Sequence, residues 1–176
     1  MLSLFYNAKT KSIRAMNGSG RYPANATLEQ IKTDWNLPGQ TESIPKTSAS
    51  SVTTPGVATG WVDTVERFGS GKLSLEHILA PAIELAEEGF PVSELSCSFW
   101  RDHEPLLRSA SPNFKELLKA EPSAKEGVRS PSAGEIMKNP TLAQTFRALV
   151  ADGKKGFYEG RVAEELVKVV QDLGGY

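Results

Sequence analysis

The sequence predicts a chain of the α/β (α+β) class, mainly helical, with one β-hairpin at its start. Two observations carry this. Met1 to Asn17 alternates apolar and polar residues on either side of a short polar turn, which is the period of a strand pair. From Leu28 onward, apolar residues recur at three- and four-residue spacing between glycine, proline and serine punctuation, which is the period of helices.

In the hairpin, Leu2, Leu4 and Tyr6 oppose Ser3, Phe5 and Asn7, residues 8–11 turn, and Ser12 to Asn17 returns with Ile13 and Ala15 expected inward. Asn17 to Pro23 (N-G-S-G-R-Y-P) follows as a loop. Its glycines flank a serine, so its N–H groups could converge on an anion, or it could simply leave the sheet. Thr27 is placed to cap a short helix from Leu28 to about Trp35. Asn36 to Ser50, rich in Pro, Thr and Ser, reads as an exposed loop. Pro55-Gly56 breaks a short β-prone run. A helix then carries Val57, Trp61, Val62 and Val65 on one side and closes at Gly69-Ser70-Gly71. Ser74 should cap the next helix, which runs to Gly89 with Glu76 in its first turn; Pro81 suggests a bend, or a start nearer Ala80.

Ser93 should cap a helix carrying Leu95, Phe99 and Trp100, with Pro105 kinking or ending it. Ser109 to Glu135 is punctuated by prolines and glycines and reads as irregular, with one short helix at Asn113 to Lys119. Asn139-Pro140 is a helix start, and Leu142, Phe146, Leu149 and Val150 share a face of that helix. The last helix, roughly Glu159 to Leu173, should bury Val162, Leu166, Val169 and Val170. The organisation expected is one incomplete domain: 1–23 hairpin and loop, 24–108 helical layer, 109–135 irregular connector, 136–176 two-helix lobe. A lone hairpin is marginal in water, so this one is expected to sit against something larger, and the start in mid-strand without lead-in residues is the first hint of an incomplete unit.

Composition narrows the function classes. With 176 residues, 39% hydrophobic and 23% charged, the chain reads as an ordinary globular protein. A net charge of −1 provides no basic excess to neutralise phosphates, so no nucleic-acid partner is expected. No run approaches the roughly 18 apolar residues of a membrane span, and the start is wrongly flanked for a signal peptide. Cys97 is the sole cysteine, which excludes an internal disulfide and a cysteine-based zinc site; Leu95, Phe99 and Trp100 around it point to a buried, inert thiol. Asn17-Gly18-Ser19 and Asn25-Ala26-Thr27 match the glycosylation triplet without establishing a compartment.

The residues by themselves nominate no catalytic constellation. His77 and His103 are too far apart for a helical metal pair, and Glu84, Glu87 and Glu88 read as a solvated helix face. Gly69-Ser70-Gly71-Lys72 lacks the first glycine of a phosphate loop and joins two helices. No serine sits in a nucleophile elbow. No metal and no cofactor are therefore expected.

A resemblance explains this gap. Pro55 to Trp61 (P-G-V-A-T-G-W), Glu66 to Ser74 (E-R-F-G-S-G-K-L-S) and Leu79 to Val92 (L-A-P-A-I-E-L-A-E-E-G-F-P-V) resemble the large-subunit half of the γ-glutamyltranspeptidase family of N-terminal-nucleophile hydrolases. So do N-G-S-G-R-Y-P at Asn17, G-E-I-M-K-N-P at Gly134 and G-F-Y-E-G-R-V-A-E at Gly156. The resemblance implies a fragment of a four-layer αββα sandwich. It also implies a precursor that cuts itself to free the N-terminal threonine of a small subunit, with that threonine's amine as base. Nucleophile and oxyanion donors would then lie beyond Tyr176, and no catalytic residue is expected here. Thr53-Thr54 falls outside the family's cleavage point.

What the resemblance leaves to this segment is substrate recognition. In the γ-glutamyl enzymes an arginine in a D-F-R-E-x-x-P-like segment grips the α-carboxylate of the glutamyl group. Aligned on Pro23, that segment places Asn17 at the aspartate and Ser19 at the arginine, so this sequence departs there and resembles the branch that includes cephalosporin-acylase-like members. Arg21 could reach the same carboxylate, or pair with a nearby acid. The expected substrate-side residues are Asn17, Ser19 and Arg21. Three functions follow as expectations: a γ-glutamyltransferase-like amidohydrolase on compounds such as glutathione, an acylase on glutaryl- or other acyl-amides, or a non-catalytic binding remnant. The expected partner is the threonine-bearing half; compartment is unreadable.

Overall fold

The computed structural model describes residues 1–37, 43–45 and 47–176; part of the loop expected over Asn36 to Ser50 therefore lies outside the described residues. The described chain is mixed, with seven α-helices and six strands, four of the strands only two residues long. It divides into two compact units, Met1–Ile78 with Ala148–Tyr176, and Leu79–Arg147.

In the first unit, β1 (Leu2–Asn7) and β2 (Ser12–Asn17) pair antiparallel in the register Leu4↔Ala15 and Tyr6↔Ile13. Asn7 shapes the turn, its Oδ1 accepting from the N–H of Lys9 at 3.0 Å and of Thr10 at 3.2 Å. Helix α1 (Leu28–Asp34) is capped by Thr27, whose side chain accepts from Gln30 N. Helix α2 (Val57–Phe68) follows, burying Ala58, Gly60 and Val62. The hairpin's inward face is the opposite of the expected one. Phe5 stacks on Phe68 at the end of α2, ring centroids 5.0 Å apart, and alternation then turns the other face outward. Leu2, Leu4, Tyr6 and Ile13 are consequently 78, 80, 60 and 70% exposed. Val57 is also more exposed than its place on the apolar stripe implied.

Helix α3 (Leu75–Glu88) begins at Ser74, whose Oγ accepts from His77 N at 3.3 Å, and α5 (Pro140–Asp152) begins at Asn139, whose Oδ1 accepts from Leu142 N at 2.9 Å. Pro81 lies within α3, so the alternative start near Ala80 is corrected. Pro105 likewise lies within α4 (Glu94–Ala110), which it does not end. Ser93 caps α4 as expected, accepting from Ser96 N. Helix α4 buries no residue, leaving Leu95 and Phe99 exposed and Cys97 only half-buried, against the expectation of an enclosed thiol. The stretch from Lys155 holds two helices, α6 (Lys155–Tyr158) and α7 (Gly160–Asp172), of which only the second was expected. Helix α7 buries Val162 but leaves Leu166 exposed.

The second unit buries Leu79, Ile83, Ala86, Val92, Leu118, Val128, Met137 and Ala143, and short ladders and ion pairs join its loops. β3 (Phe90–Pro91) pairs with β6 (Ile136–Met137), and β4 (Lys119–Ala120) with β5 (Val128–Arg129), both antiparallel. Gly89 makes the first pairing possible: its φ of +105° is open to glycine, and a Cβ there would stand 2.4 Å from Ile136 Cγ2. Arg108 donates to Glu104 at 2.6 Å, to Glu126 at 2.8 Å and to the Val128 carbonyl at 2.7 Å, and lies over the Phe114 ring. Hydrogen bonds from Ser130 first, then from Arg108, hold the Glu104 carboxyl below its ordinary value.

Arg129 grips Glu135 with two bonds of 2.8 Å, and Ser132 N donates to the same carboxylate at 2.7 Å. The Arg129 bonds, then the Ser132 N–H, lower the Glu135 carboxyl from 4.5 to about 2. A carboxyl depressed on folding contributes stability that is complete above about 4.5 and is lost as pH falls through about 2. Glu135→Gln is therefore expected to flatten the acid limb of the stability–pH curve in that window. Urea midpoints from pH 5 to 2 check this, and an unchanged slope would refute it.

Candidate functional site

The loop leaving β2 takes its shape from local bonds and from glycine contacts. Asn17 Oδ1 accepts from Ser19 N at 2.9 Å, and Gly18 N donates to the Met1 carbonyl at 2.7 Å. Two N–H groups that could have converged on an anion are thus already engaged, and the anion-cradle reading of this loop is set aside. Beneath the loop runs the segment Thr53 to Gly60. Thr54 N donates to the Arg21 carbonyl at 2.9 Å. A Cβ on Gly20 would stand 1.8 Å from Thr54 O, and one on Gly56 would stand 2.1 Å from Gly18 O. Only glycine lets these two backbones lie so close. The glycines of N-G-S-G and of P-G-V-A-T-G-W are therefore two sides of one contact.

Helix α2 starts on Gly56, which has no side chain to cap the free N–H groups of the first turn. Tyr158, at the end of α6, takes that role. Its hydroxyl accepts from Thr59 N at 3.1 Å and donates to the Pro55 carbonyl at 2.5 Å. The G-F-Y-E-G motif is thereby tied to the P-G-V-A-T-G-W motif, a link that no spacing in the sequence signals.

On this support Asn17, Ser19 and Arg21 are all exposed. Asn17 uses its oxygen on Ser19 N and keeps its amide donors. Arg21 forms no ion pair with any described residue, so the alternative of a nearby acid finds no partner among them. None of the three lines the neighbouring apolar cavity of about 220 Å³, which is formed by Val52 to Pro55, Phe157, Tyr158, Leu166, Val170 and Tyr176 among others. Thr53 and Thr54 sit mid-chain in the wall of that cavity. His77 Nδ1 lies 2.8 Å from Ser74 Oγ, and His103 Nδ1 lies 2.9 Å from the Phe99 carbonyl; both are local helix contacts. Glu84, Glu87 and Glu88 are exposed, as expected of a solvated face; on it Arg147 pairs with Glu87 at 2.8 Å and lowers its carboxyl. Among the described residues no group of three His, Cys, Asp or Glu side chains is placed to hold a metal ion. No described helix is long and apolar enough to cross a membrane.

The family model described as Gamma-glutamyltranspeptidase matches residues 1–176, the whole chain. The chain belongs to the gamma-glutamyltranspeptidase family. It is 30% identical over 173 residues to the glutathione hydrolase-like YwrD proenzyme of Bacillus subtilis, covering 98% of this chain and 30% of that protein. It is also 30% identical over 163 residues to the oxamate amidohydrolase proenzyme of Klebsiella pneumoniae, covering 91% of this chain and 28% of that protein. Among solved structures, the gamma-glutamyltranspeptidase of Helicobacter pylori superposes with a TM-score of 0.82 at 23% identity, over 99% of this chain and 47% of that one. The cephalosporin acylase of Bacillus halodurans gives 0.81 at 27%, over 99% and 31%. The expected fold is borne out by both. This gamma-glutamyltranspeptidase-family chain spans 19–30% of the length of these and other curated relatives it matches.

Proposed function

We propose that this chain is a substrate-recognition segment of the large subunit of a γ-glutamyltransferase-like amidohydrolase or acyltransferase, acting on γ-glutamyl compounds such as glutathione. The attacking threonine belongs to a small-subunit half. Its oxygen adds to the γ-carbonyl while its own α-amine takes the hydroxyl proton and passes it to the substrate's amide nitrogen; the C–N bond breaks, the substrate's amine leaves, and water or an amino acceptor then releases the acyl group from the threonine ester. The outward apolar face of the hairpin, Leu2, Leu4, Tyr6 and Ile13, is the surface this partner covers. The match over the whole chain and the proenzyme names of the relatives support the reading.

The observation that carries it is Arg21: an exposed guanidinium with no carboxylate partner among the described residues, on a loop whose backbone is pinned at Thr54. Its role is to bind and orient a substrate carboxylate. A charge-assisted pair is worth about 1.5–3 kcal/mol, so Arg21→Ala in the complete proenzyme should raise KM about 10- to 100-fold with kcat little changed. Steady-state kinetics on a γ-glutamyl anilide test this, and an unaltered KM would remove Arg21 from recognition.

Asn17 favours a second reading. A glutaryl amide carries the same carboxylate as a γ-glutamyl amide but no α-ammonium. Asn17 is neutral and already accepts one bond from Ser19 N, so it offers an ammonium group no charge to pair with, unlike the aspartate of the γ-glutamyl enzymes' motif. The likeness to a cephalosporin acylase points the same way. A kcat/KM ratio favouring the glutaryl amide selects the acylase. Absence of turnover on both amides by the complete protein selects the non-catalytic remnant.

A further inference from the structure

We infer that Tyr158 is a positioning residue for the recognition loop, acting through the Pro55–Thr59 backbone from a helix 99 residues after Thr59 and 103 after Pro55 in sequence. The inference rests on the recognition role proposed for Arg21 only in its kinetic consequence; its structural content is independent. The Tyr158 hydroxyl clamps both sides of one backbone turn, accepting from Thr59 N and donating to Pro55 O. Between and beside those two points lie the atoms that support the loop. Gly56 meets Gly18 O, Thr54 N donates to Arg21 O, and Thr54 O faces Gly20.

Without the hydroxyl, Pro55 O and Thr59 N are left to water or unpaired. Gly56 offers no side chain in compensation, so the helix start loosens. The Thr54–Arg21 bond is only one residue from Pro55, so loosening reaches the backbone that carries the Arg21 guanidinium. A bidentate grip on a carboxylate requires that backbone to hold its place. The hydroxyl is therefore placed to act on binding.

The test uses the complete protein in two arms. In the first, amide hydrogen exchange compares wild type with Tyr158→Phe. Loss of one hydrogen-bonding hydroxyl should speed exchange at Thr54 about five-fold, with hairpin amides such as Tyr6 unchanged. Thr54 exchange at the wild-type rate overturns the inference whatever the kinetics show.

In the second arm, Tyr158→Phe should raise KM for the preferred amide about five-fold with kcat near wild type. Val162→Ala, a buried change on α7 at a residue that does not line the cavity holding Tyr158, serves as the control; it should lower thermal stability and leave KM alone. Equal KM changes in the two variants would show that Tyr158 acts only through stability, and would overturn the positioning role. An unaltered KM in Arg21→Ala together with faster Thr54 exchange in Tyr158→Phe would instead refute the recognition reading and leave the clamp standing.

Discussion

Replacing Gly20 with alanine is expected to lower stability by about 3 kcal/mol or more, because the nearest atom the new Cβ meets is a backbone oxygen that the chain holds in place. It would lie 1.8 Å from Thr54 O and 2.8 Å from Thr53 Oγ1. The nearer atom is backbone, so no flexible side chain can swing aside, and the loop must lift off the Thr53–Gly60 segment. Gly71→Ala makes the comparison. Gly71 has φ +73° but open space around it, so alanine there meets only the left-handed strain of about 1–2 kcal/mol. Urea unfolding of both variants separates the two mechanisms, provided the slope m is shared. Should Gly20→Ala cost no more than Gly71→Ala, the close approach of the two glycine segments is not what holds the loop.

Leu149→Ala in α5 is expected to cost about 2–5 kcal/mol, the range for deleting a fully enclosed leucine and leaving a cavity. Leu149 is 1% exposed, whereas Leu142 on the same helix is 42% exposed. The pair is thus an internal comparison: Leu142→Ala should stay below about 1 kcal/mol, since little apolar area leaves water there. Denaturant midpoints measure both. Similar losses at the two positions would mean that α5 does not present one buried edge.

Features set by local chemistry are legible in the amino-acid sequence. Thr27, Ser93 and Asn139 cap helices because each oxygen needs only the N–H three residues on. The hairpin turn is legible for the same reason, since Asn7 supplies its own acceptor. The two faces of that hairpin are also legible, but not which one packs. That choice is made by Phe68, sixty-three residues after Phe5, and nothing in the alternation reports it.

Two-residue ladders fail for a related reason. Phe90 pairs with Met137 through a register that neither stretch encodes alone. Pro81 and Pro105 mislead because the penalty for a proline is local while the packing that outweighs it is not. The positions Asn17, Ser19 and Arg21 come from family resemblance; the periodicity of the chain marks none of them. Their support is illegible in the sequence, because the meeting of Gly20 with Thr54 and of Tyr158 with Pro55 depends on the folded path between them.

The bonds from Tyr158 span 99 and 103 residues. On the ribosome, at about 5–20 residues per second, the start of α2 emerges several seconds before the hydroxyl that closes it. Throughout that interval the nascent helix has a bare glycine at its head and water on its first amides. The two bonds that close the first turn of α2 therefore cannot form before α6 is translated.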